Sequence, residues 1–416
     1  ISKAAEAGDQ LAKEILVEAG TMLGVMLGGV MNTLDFRVTI IGGGVNGLAT
    51  ARRISETRPD LSVLVYEKEK YCNAEQSGHH SGSGHGGWVY KPGSLKAKLC
   101  VEGNRMLADF CKRYGVGIHH SGKLVVGKQR AELEFYLKQG QENGVEGLEI
   151  LDSTGIKAFE ANVVAPYALF VPNAFAINGG AYCKELESIV RRSEAVLFKS
   201  ERVVGLEKAG KNKVLVTVNS FENGEYCFES SWVINAAGLW ADDVARLINP
   251  HFPYHVHPIR GEYMTFRKTA RDDLFMNGLN VYPVPQVGFR DAQGREQRVA
   301  GTHLSPTFSV DAHGHAAVGN IVLVGPKARP QADRSYYGSV ESAPAEFLSD
   351  LWYFPQLREE NLQPDQVGVQ VKLNETDDFV IERDSICDRV IHVIAGSPSL
   401  TSSLANAEYI VERLMR

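Results

Sequence analysis

Apolar positions along this 416-residue chain follow two different patterns. In its first half, short and nearly continuous apolar runs alternate with longer segments of helical period. Residues 36–41 (FRVTII) and 61–66 (LSVLVY) read as buried strands, with a helix from Val45 to about Ile54 between them. Residues 94–114 form an amphipathic helix with Gly115 as its C-cap, 132–143 a second helix closed by Gly144, and 181–192 a third. Residues 196–206, 213–218 and 225–228 alternate at period two around an Asn223-Gly224 turn, as a β-meander does. Residues 232–235 are another buried strand ending in Ala236-Ala237-Gly238. From His251 onward the chain is richer in strand, at 262–266, 280–283, 299–303 and 321–324, with a polar insertion at 286–297. A helix at 344–357, strands at 379–381 and 390–394, and a helix capped by Thr401 or Ser402 and running to Arg416 complete the pattern.

The two first strands bracket the most informative turn. Gly42, Gly44 and Gly47 supply G-x-G-x-x-G directly after a strand and at the start of a helix, and Glu67 stands at the end of the next strand. That order is the dinucleotide-binding fingerprint. Gly42 allows the tight turn, Gly44 lets backbone approach a pyrophosphate, and Gly47 lets helix and strand pack closely. The anion then sits on the helix N-terminus, and Glu67 is placed to accept hydrogen bonds from ribose hydroxyls. This fingerprint alone does not separate FAD from NAD. A glycine-rich loop follows at 76–87 (QSGHHSGSGHGG), where five of twelve residues are glycine and three are histidine, as suits backbone lying against a planar ligand. Because strands return to the first unit after long intervals, the fold expected is α/β. It has a discontinuous Rossmann-type domain (about 36–95, 175–245 and 375–416) and an inserted, mainly antiparallel α+β domain (96–174 and 246–374).

Composition narrows the class. A net charge of −6 without a basic stripe argues against a nucleic-acid partner. Six scattered cysteines without C-x-x-C fit a reducing intracellular compartment and no disulfide framework. The pairs His255/His257 and His313/His315 could each face one side of a strand, but no carboxylate or cysteine joins them at ligand spacing, so no metal is expected. Residues 4–34 predict a helical extension with Asp9 as N-cap. Its uncharged run, 19–34, falls short of the about 20 residues a membrane span needs, and the segment has neither a secretory nor a transit-type pattern.

The stretches IIGGGVNGLATA, VYEKEK, QSGHHSGSGHGGWVYKPGSLKAKLCVEGN, GKLVVG, INAAGLWAD, PIRGEYM, NVYPVP, GTHLSP, VGPKA and SPSLTSSLANAEYI resemble flavoproteins of the D-amino acid oxidase superfamily. Most closely they are similar to the FAD-dependent L-2-hydroxyglutarate dehydrogenases. KPGSLKAKLCVEGN and the terminal SP-x-LTSSLA are the most specific. The resemblance implies FAD as cofactor and oxidation of a 2-hydroxyacid, most directly L-2-hydroxyglutarate to 2-oxoglutarate, by hydride transfer to flavin N5. Glycerol 3-phosphate or a small amine are runner-up substrates, and a flavin-binding protein without turnover is the reading outside the enzyme class. Glu67 and Lys68 would hold the adenosine ribose, Val203 the adenine, and Ala237 and Gly238 the pyrophosphate side. Ser77, His79, Ser81 and Gly82 would line the flavin end, and Thr401 and Ser402 would point a helix N-terminus at its pyrimidine edge. His303 and His85 are the candidate bases, and Arg260 and Lys327 the candidate carboxylate partners. The resemblance also implies a quinone-linked electron acceptor and, in a eukaryote, a mitochondrial location. His80, Ser399 and Gln370 depart from the family pattern, which has Asn, Gly and Arg there. Residues 1–35 instead resemble the C-terminal helix of ROK-family sugar kinases.

Overall fold

The computed structural model describes residues 37–268, 272–290, 296–299, 301–311 and 316–416, together with Ala5, 8–13 and Ile15. The first layer is a six-stranded sheet made of β1 (Arg37–Ile41), β2 (Ser62–Glu67), β3 (Val196–Lys199), β4 (Trp232–Asn235), β5 (Val380–Arg383) and β6 (Val390–Ile394). Its order is β5-β6-β4-β1-β2-β3. Every pairing is parallel except β5 with β6. Both faces are covered, and β1 is buried along its whole length, Arg37 and Thr39 included.

The period of two divides those strands cleanly. Val38, Ile40, Val63 and Val65 pack on one side against α1 (Val45–Thr57), α2 (Leu95–Tyr114), α3 (Gly179–Arg192) and α4 (Ser399–Tyr409). Ile41, Leu64, Tyr66 and Val233 face the other side, where Val203, Val216 and Phe228 of the antiparallel meander 201–230 cover them. Helix α2 begins where expected, with Ser94 Oγ accepting from the Ala97 amide, and it ends at Gly115, whose φ of 68° is left-handed. Helices α2 and α4 meet at Gly103, where a Cβ would lie 2.5 Å from the Thr401 carbonyl oxygen.

The second layer is an eight-stranded sheet ordered 363–373, 256–267, 316–330, 303–310, 280–283, 123–127, 167–171 and 149–152. Its pairings are antiparallel except 280–283 beside 123–127. One face carries Leu124, Val126, Val281, Leu304, Val322 and Val324 into an apolar core with Phe347, Tyr353 and Phe354. The alternate positions Lys123, Asn280, Tyr282, His303 and Ser305 are buried too, yet polar. A buried polar face on a strand is costly and marks a site.

Several boundaries differ from expectation. The helix expected at 344–357 is only Pro344–Leu348, followed by turns. Tyr353 and Phe354 leave helical period to fill the apolar core, and Pro355 disfavours helix at Phe354. The strand expected at 299–303 is split, with pairing resuming at His303 beyond Gly301, whose φ is 72°. The polar insertion is a two-stranded hairpin, Gln286–Arg290 with Glu296–Val299. The last helix ends as a π-turn over Ile410–Leu414. In the amino-terminal segment Asp9 Oδ1 accepts from the Ala12 amide at 3.1 Å, as an N-cap does. The rest of the predicted 4–34 helix lies outside the described residues, as does the His313/His315 pair.

Arg260, 4% exposed, forms an ion pair with the fully buried Glu262 at 2.8 Å. Glu262 also accepts from the Ser342 and Glu341 amides at 2.8 and 3.2 Å, and Arg260 donates to the Ser339 carbonyl. The pair ties the segment 331–342 to the sheet. Glu262→Gln strands the buried guanidinium and is expected to lower unfolding free energy by roughly 3 kcal/mol in a denaturant titration. A change below roughly 1 kcal/mol, the value of a surface pair, contradicts this role.

Candidate functional site

The glycine turn forms as its spacing requires. A Cβ on Gly47 would lie 1.9 Å from the Gly42 carbonyl oxygen, and one on Gly42 would lie 2.4 Å from that of Ala236. Gly42 also has φ of 110°. These contacts draw β1, α1 and β4 together at the carboxyl edge of the parallel strands, where α/β sheets bind ligands. A cleft of about 270 Å³ opens there. It runs from Arg202 and Val203 past Glu67 and the glycine turn to Ser77, Ala395 and Ser399.

Gly42, Gly44, Glu67, Lys68, Ser77, Val203, Ala237 and Gly238 all line this one cleft. Gly47 packs behind it. The Glu67 carboxylate accepts from the Gly43 amide at 2.7 Å and the Glu69 amide at 2.8 Å. Burial raises the Glu67 pKa, opposed by those two amides. Lys68 pairs with Glu69 and Glu75, and its amine lies 5.3 Å from the Trp240 ring centre, so it forms a wall rather than a free cation. Ser77 Oγ accepts from the Val45 amide at 3.1 Å and so stands at the N-terminus of α1, the phosphate end. The resemblance had put Ser77 at the flavin end; the hydrogen bond to α1 places it otherwise. Two of the family departures are structurally engaged. Ser399 Oγ accepts from Asn46 Nδ2 at 2.7 Å, and the His80 ring packs on Gly179.

The remaining predicted residues lie beyond the cleft's inner end. His79 packs on the Tyr337 ring, with centroids 4.5 Å apart. Ser81 and Gly82 line a second cavity of about 230 Å³, together with Asn280 and Ser305 of the mixed sheet. Thr401 Oγ1 accepts from the His85 amide at 3.1 Å, and Ser402 is buried in the same first turn of α4. The histidine loop is thereby fastened to the helix N-terminus.

His85 and His303 do converge, and Lys123 joins them. The His303 ring stacks on Tyr282 at 3.6 Å between centroids, and the Lys123 amine lies 3.7 Å from the same ring centre. Burial, reinforced by Lys123, pushes His303 down to about 3 and His85 well below its usual value. Burial lowers Lys123 to about 7. Both imidazoles are therefore neutral at physiological pH. His303 Nδ1 lies 3.0 Å from the Gly301 carbonyl oxygen. A carbonyl only accepts, so Nδ1 carries the proton and Nε2 holds a free lone pair. That buried Nε2 has no protein partner.

Arg260 and Lys327 are not part of this cluster. Arg260 is committed to Glu262, and Lys327 donates to Asp350 at 2.9 Å and to the Glu346 carbonyl at 3.0 Å. Sequence reasoning missed Lys123, Tyr282 and Trp240. The available signal was Lys123 itself, a charge opening the otherwise apolar strand KLVVG, because buried lysines are rare unless they have a task. Among the described residues no group of three or more His, Cys, Asp or Glu could hold a metal. His255 pairs with Glu375, and His257 bonds Asn374.

A dinucleotide cleft at the strand ends, linked through the loop after Ser77 to a second sheet with a buried polar face, defines a two-layer redox enzyme of the flavoprotein type. Residues 37–413 match the family described as FAD dependent oxidoreductase (DAO), and the chain belongs to that family. It is 29% identical to the mitochondrial L-2-hydroxyglutarate dehydrogenase of Nematostella vectensis, over 91% of this chain and 90% of that protein. It is 28% identical to the L-2-hydroxyglutarate dehydrogenase of Indibacter alkaliphilus, over 89% of this chain and 97% of that one. Among solved structures, the L-alpha-glycerophosphate oxidase of Mycoplasma pneumoniae with FAD bound superposes with a TM-score of 0.76 at 24% identity, covering 91% of this chain and 94% of that one. Glycine oxidase from Geobacillus kaustophilus gives 0.69 at 15% identity, covering 92% and 95%. These two structures establish the shared fold.

The cleft fits FAD. It is long and mainly apolar, with a carboxylate at one strand end and glycine backbone at the helix N-terminus. Glu67→Gln keeps the shape and removes the charge available to ribose hydroxyls. It is expected to weaken FAD binding about ten- to a hundredfold when apoprotein is titrated with FAD by fluorescence. Unchanged affinity would remove Glu67 from the cofactor site.

Proposed function

We propose that this FAD-dependent oxidoreductase oxidises a small 2-hydroxyacid, with L-2-hydroxyglutarate to 2-oxoglutarate as the leading reaction. The observation that carries the reading is the free Nε2 of His303, a neutral and oriented imidazole in a buried polar cluster. When bound, FAD supplies the acceptor for the hydride leaving the substrate carbon. The hydroxyl proton goes to His303 Nε2, with the Gly301 carbonyl holding the tautomer and Tyr282 the ring plane. A substrate carboxylate beside the ring offsets the burial that disfavours its protonated form, so the bound acid strengthens the base that acts on it. His85, whose backbone amide is fastened to Thr401, is the second imidazole of the cluster. Names shared by the curated relatives favour the five-carbon hydroxydiacid. Electrons then pass to a quinone-linked acceptor. Among the described residues no helix is long and apolar enough to cross a membrane.

Anaerobic mixing with L-2-hydroxyglutarate is expected to bleach the flavin, and glycerol 3-phosphate and glycine are expected not to. Bleaching by one of those instead replaces the proposed substrate. His303→Gln is expected to slow flavin reduction by about 10² to 10⁴ in stopped flow while retaining the oxidised flavin spectrum, the range for removal of a positioned base. Reduction at the parent rate assigns the proton to another group.

A further inference from the structure

Lys123 is 1% exposed, and among the described residues no carboxylate pairs with it. Its one hydrogen bond is a long one, 3.4 Å to Ser83 Oγ. Three other cations of the mixed sheet are neutralised within the chain: Arg260 by Glu262, Lys327 by Asp350 and Arg329 by Glu346. Around Lys123 stand further buried polar groups: Asn280 Nδ2 and His303 Nε2 have no partner, and the Tyr282 hydroxyl and Ser305 Oγ have at most neighbouring hydroxyls. Asn280 is the register neighbour of Lys123 on the adjoining parallel strand. The Tyr282 hydroxyl lies among Ser81, Ser83 and Ser305, and Asn280 and Ser305 also line the second cavity. The sheet thus places one cation and several neutral donors together and provides no anion for them. Desolvated cations are retained when something negative completes them.

We propose that Lys123 is the anchor for a carboxylate of the substrate, making the ion pair that the chain itself does not make. The proposal deepens the function above and depends on that reading only in requiring a carboxylate-bearing substrate. One cation among neutral imidazoles, hydroxyls and an amide suits a singly charged carboxylate better than a doubly charged phosphate. Lys123 and His303 come from the strands on either side of Tyr282 and lie against opposite faces of its ring, at 3.7 and 3.6 Å from its centre, so a hydroxyacid that meets both spans the edge of that ring. The anchor binds in its protonated form. The groups facing it are Ser83 and His85 from the glycine-rich loop, Cys100 from α2, and Asn280, Tyr282 and His303 from the sheet. Because the burial-lowered value for Lys123 is about 7, carboxylate affinity is full below that pH and declines as pH rises through it.

The test compares parent and Lys123→Met protein, both loaded with FAD, by calorimetric titration with glutarate and with acetate as non-oxidisable probes. The oxidised flavin spectrum reports that each protein is folded. The expected result is that the parent binds glutarate, that Lys123→Met binds it about ten- to a hundredfold more weakly, and that kcat/KM for L-2-hydroxyglutarate declines above about pH 7 in the parent only. Equal glutarate binding by the two proteins, or no carboxylate binding by the parent, overturns the anchor. If the parent binds acetate but not glutarate, and Lys123→Met loses acetate, the anchor stands and the five-carbon substrate falls. Should Lys123→Met fail to hold FAD, Lys123→Gln, which keeps a hydrogen-bond donor without the charge, takes its place: weakened glutarate binding supports the anchor, and binding equal to the parent's overturns it.

Discussion

The contact on which the structure depends is the backbone approach at the glycine turn. Gly47 sits over the Gly42 carbonyl, and Gly42 sits against that of Ala236, at separations no side chain tolerates. Those two contacts seat α1 on β1 and bring β4 alongside. The cleft between them exists because three backbone segments meet without side chains. Everything that gives the cleft its chemistry is then placed by sheet register: Tyr66 and Glu67 end β2, and Ala236 to Gly238 leave β4.

The second constraint is the cost of a buried polar face. The mixed sheet sends Leu124, Val281 and Leu304 one way into an ordinary core. It sends Lys123, Asn280, Tyr282, His303 and Ser305 the other way, still out of water. Desolvation holds both histidines neutral and lowers Lys123 to about 7, so the same burial that is unfavourable to stability sets the protonation states of this cluster. The α4 N-terminus joins this region to the cofactor layer through the bond from the His85 amide to Thr401. Arg260, by contrast, is sealed into an ion pair with Glu262 and serves the sheet's own integrity.

Much of this was legible in the linear chain, and for definable reasons. The turn Gly42 to Gly47, the strand ending at Glu67, the Gly115 cap and the alternating meander are local, and local rules find them. The histidines His85 and His303 are legible as chemistry-bearing residues, but their convergence with Lys123, which shares the Tyr282 ring with His303, comes from segments that are distant in sequence. Lys123 was passed over because it opens an apolar strand and its burial is a property of the sheet. Arg260 is misplaced for the opposite reason: its partner lies only two residues away, on the same face of one regular strand, where both side chains are buried together. The helix expected through Tyr353 and Phe354 failed because tertiary burial of those rings outweighed helical period.

The central claim is that a hydroxyacid is held by Lys123 and His303, around the edge of the Tyr282 ring. A crystal structure of the FAD-loaded protein with 2-oxoglutarate tests it most directly. The account predicts a carboxylate of the ligand on the Lys123 amine and its keto oxygen facing His303 Nε2. A ligand seated instead on Arg260 or Lys327, with Lys123 and His303 untouched, would contradict it.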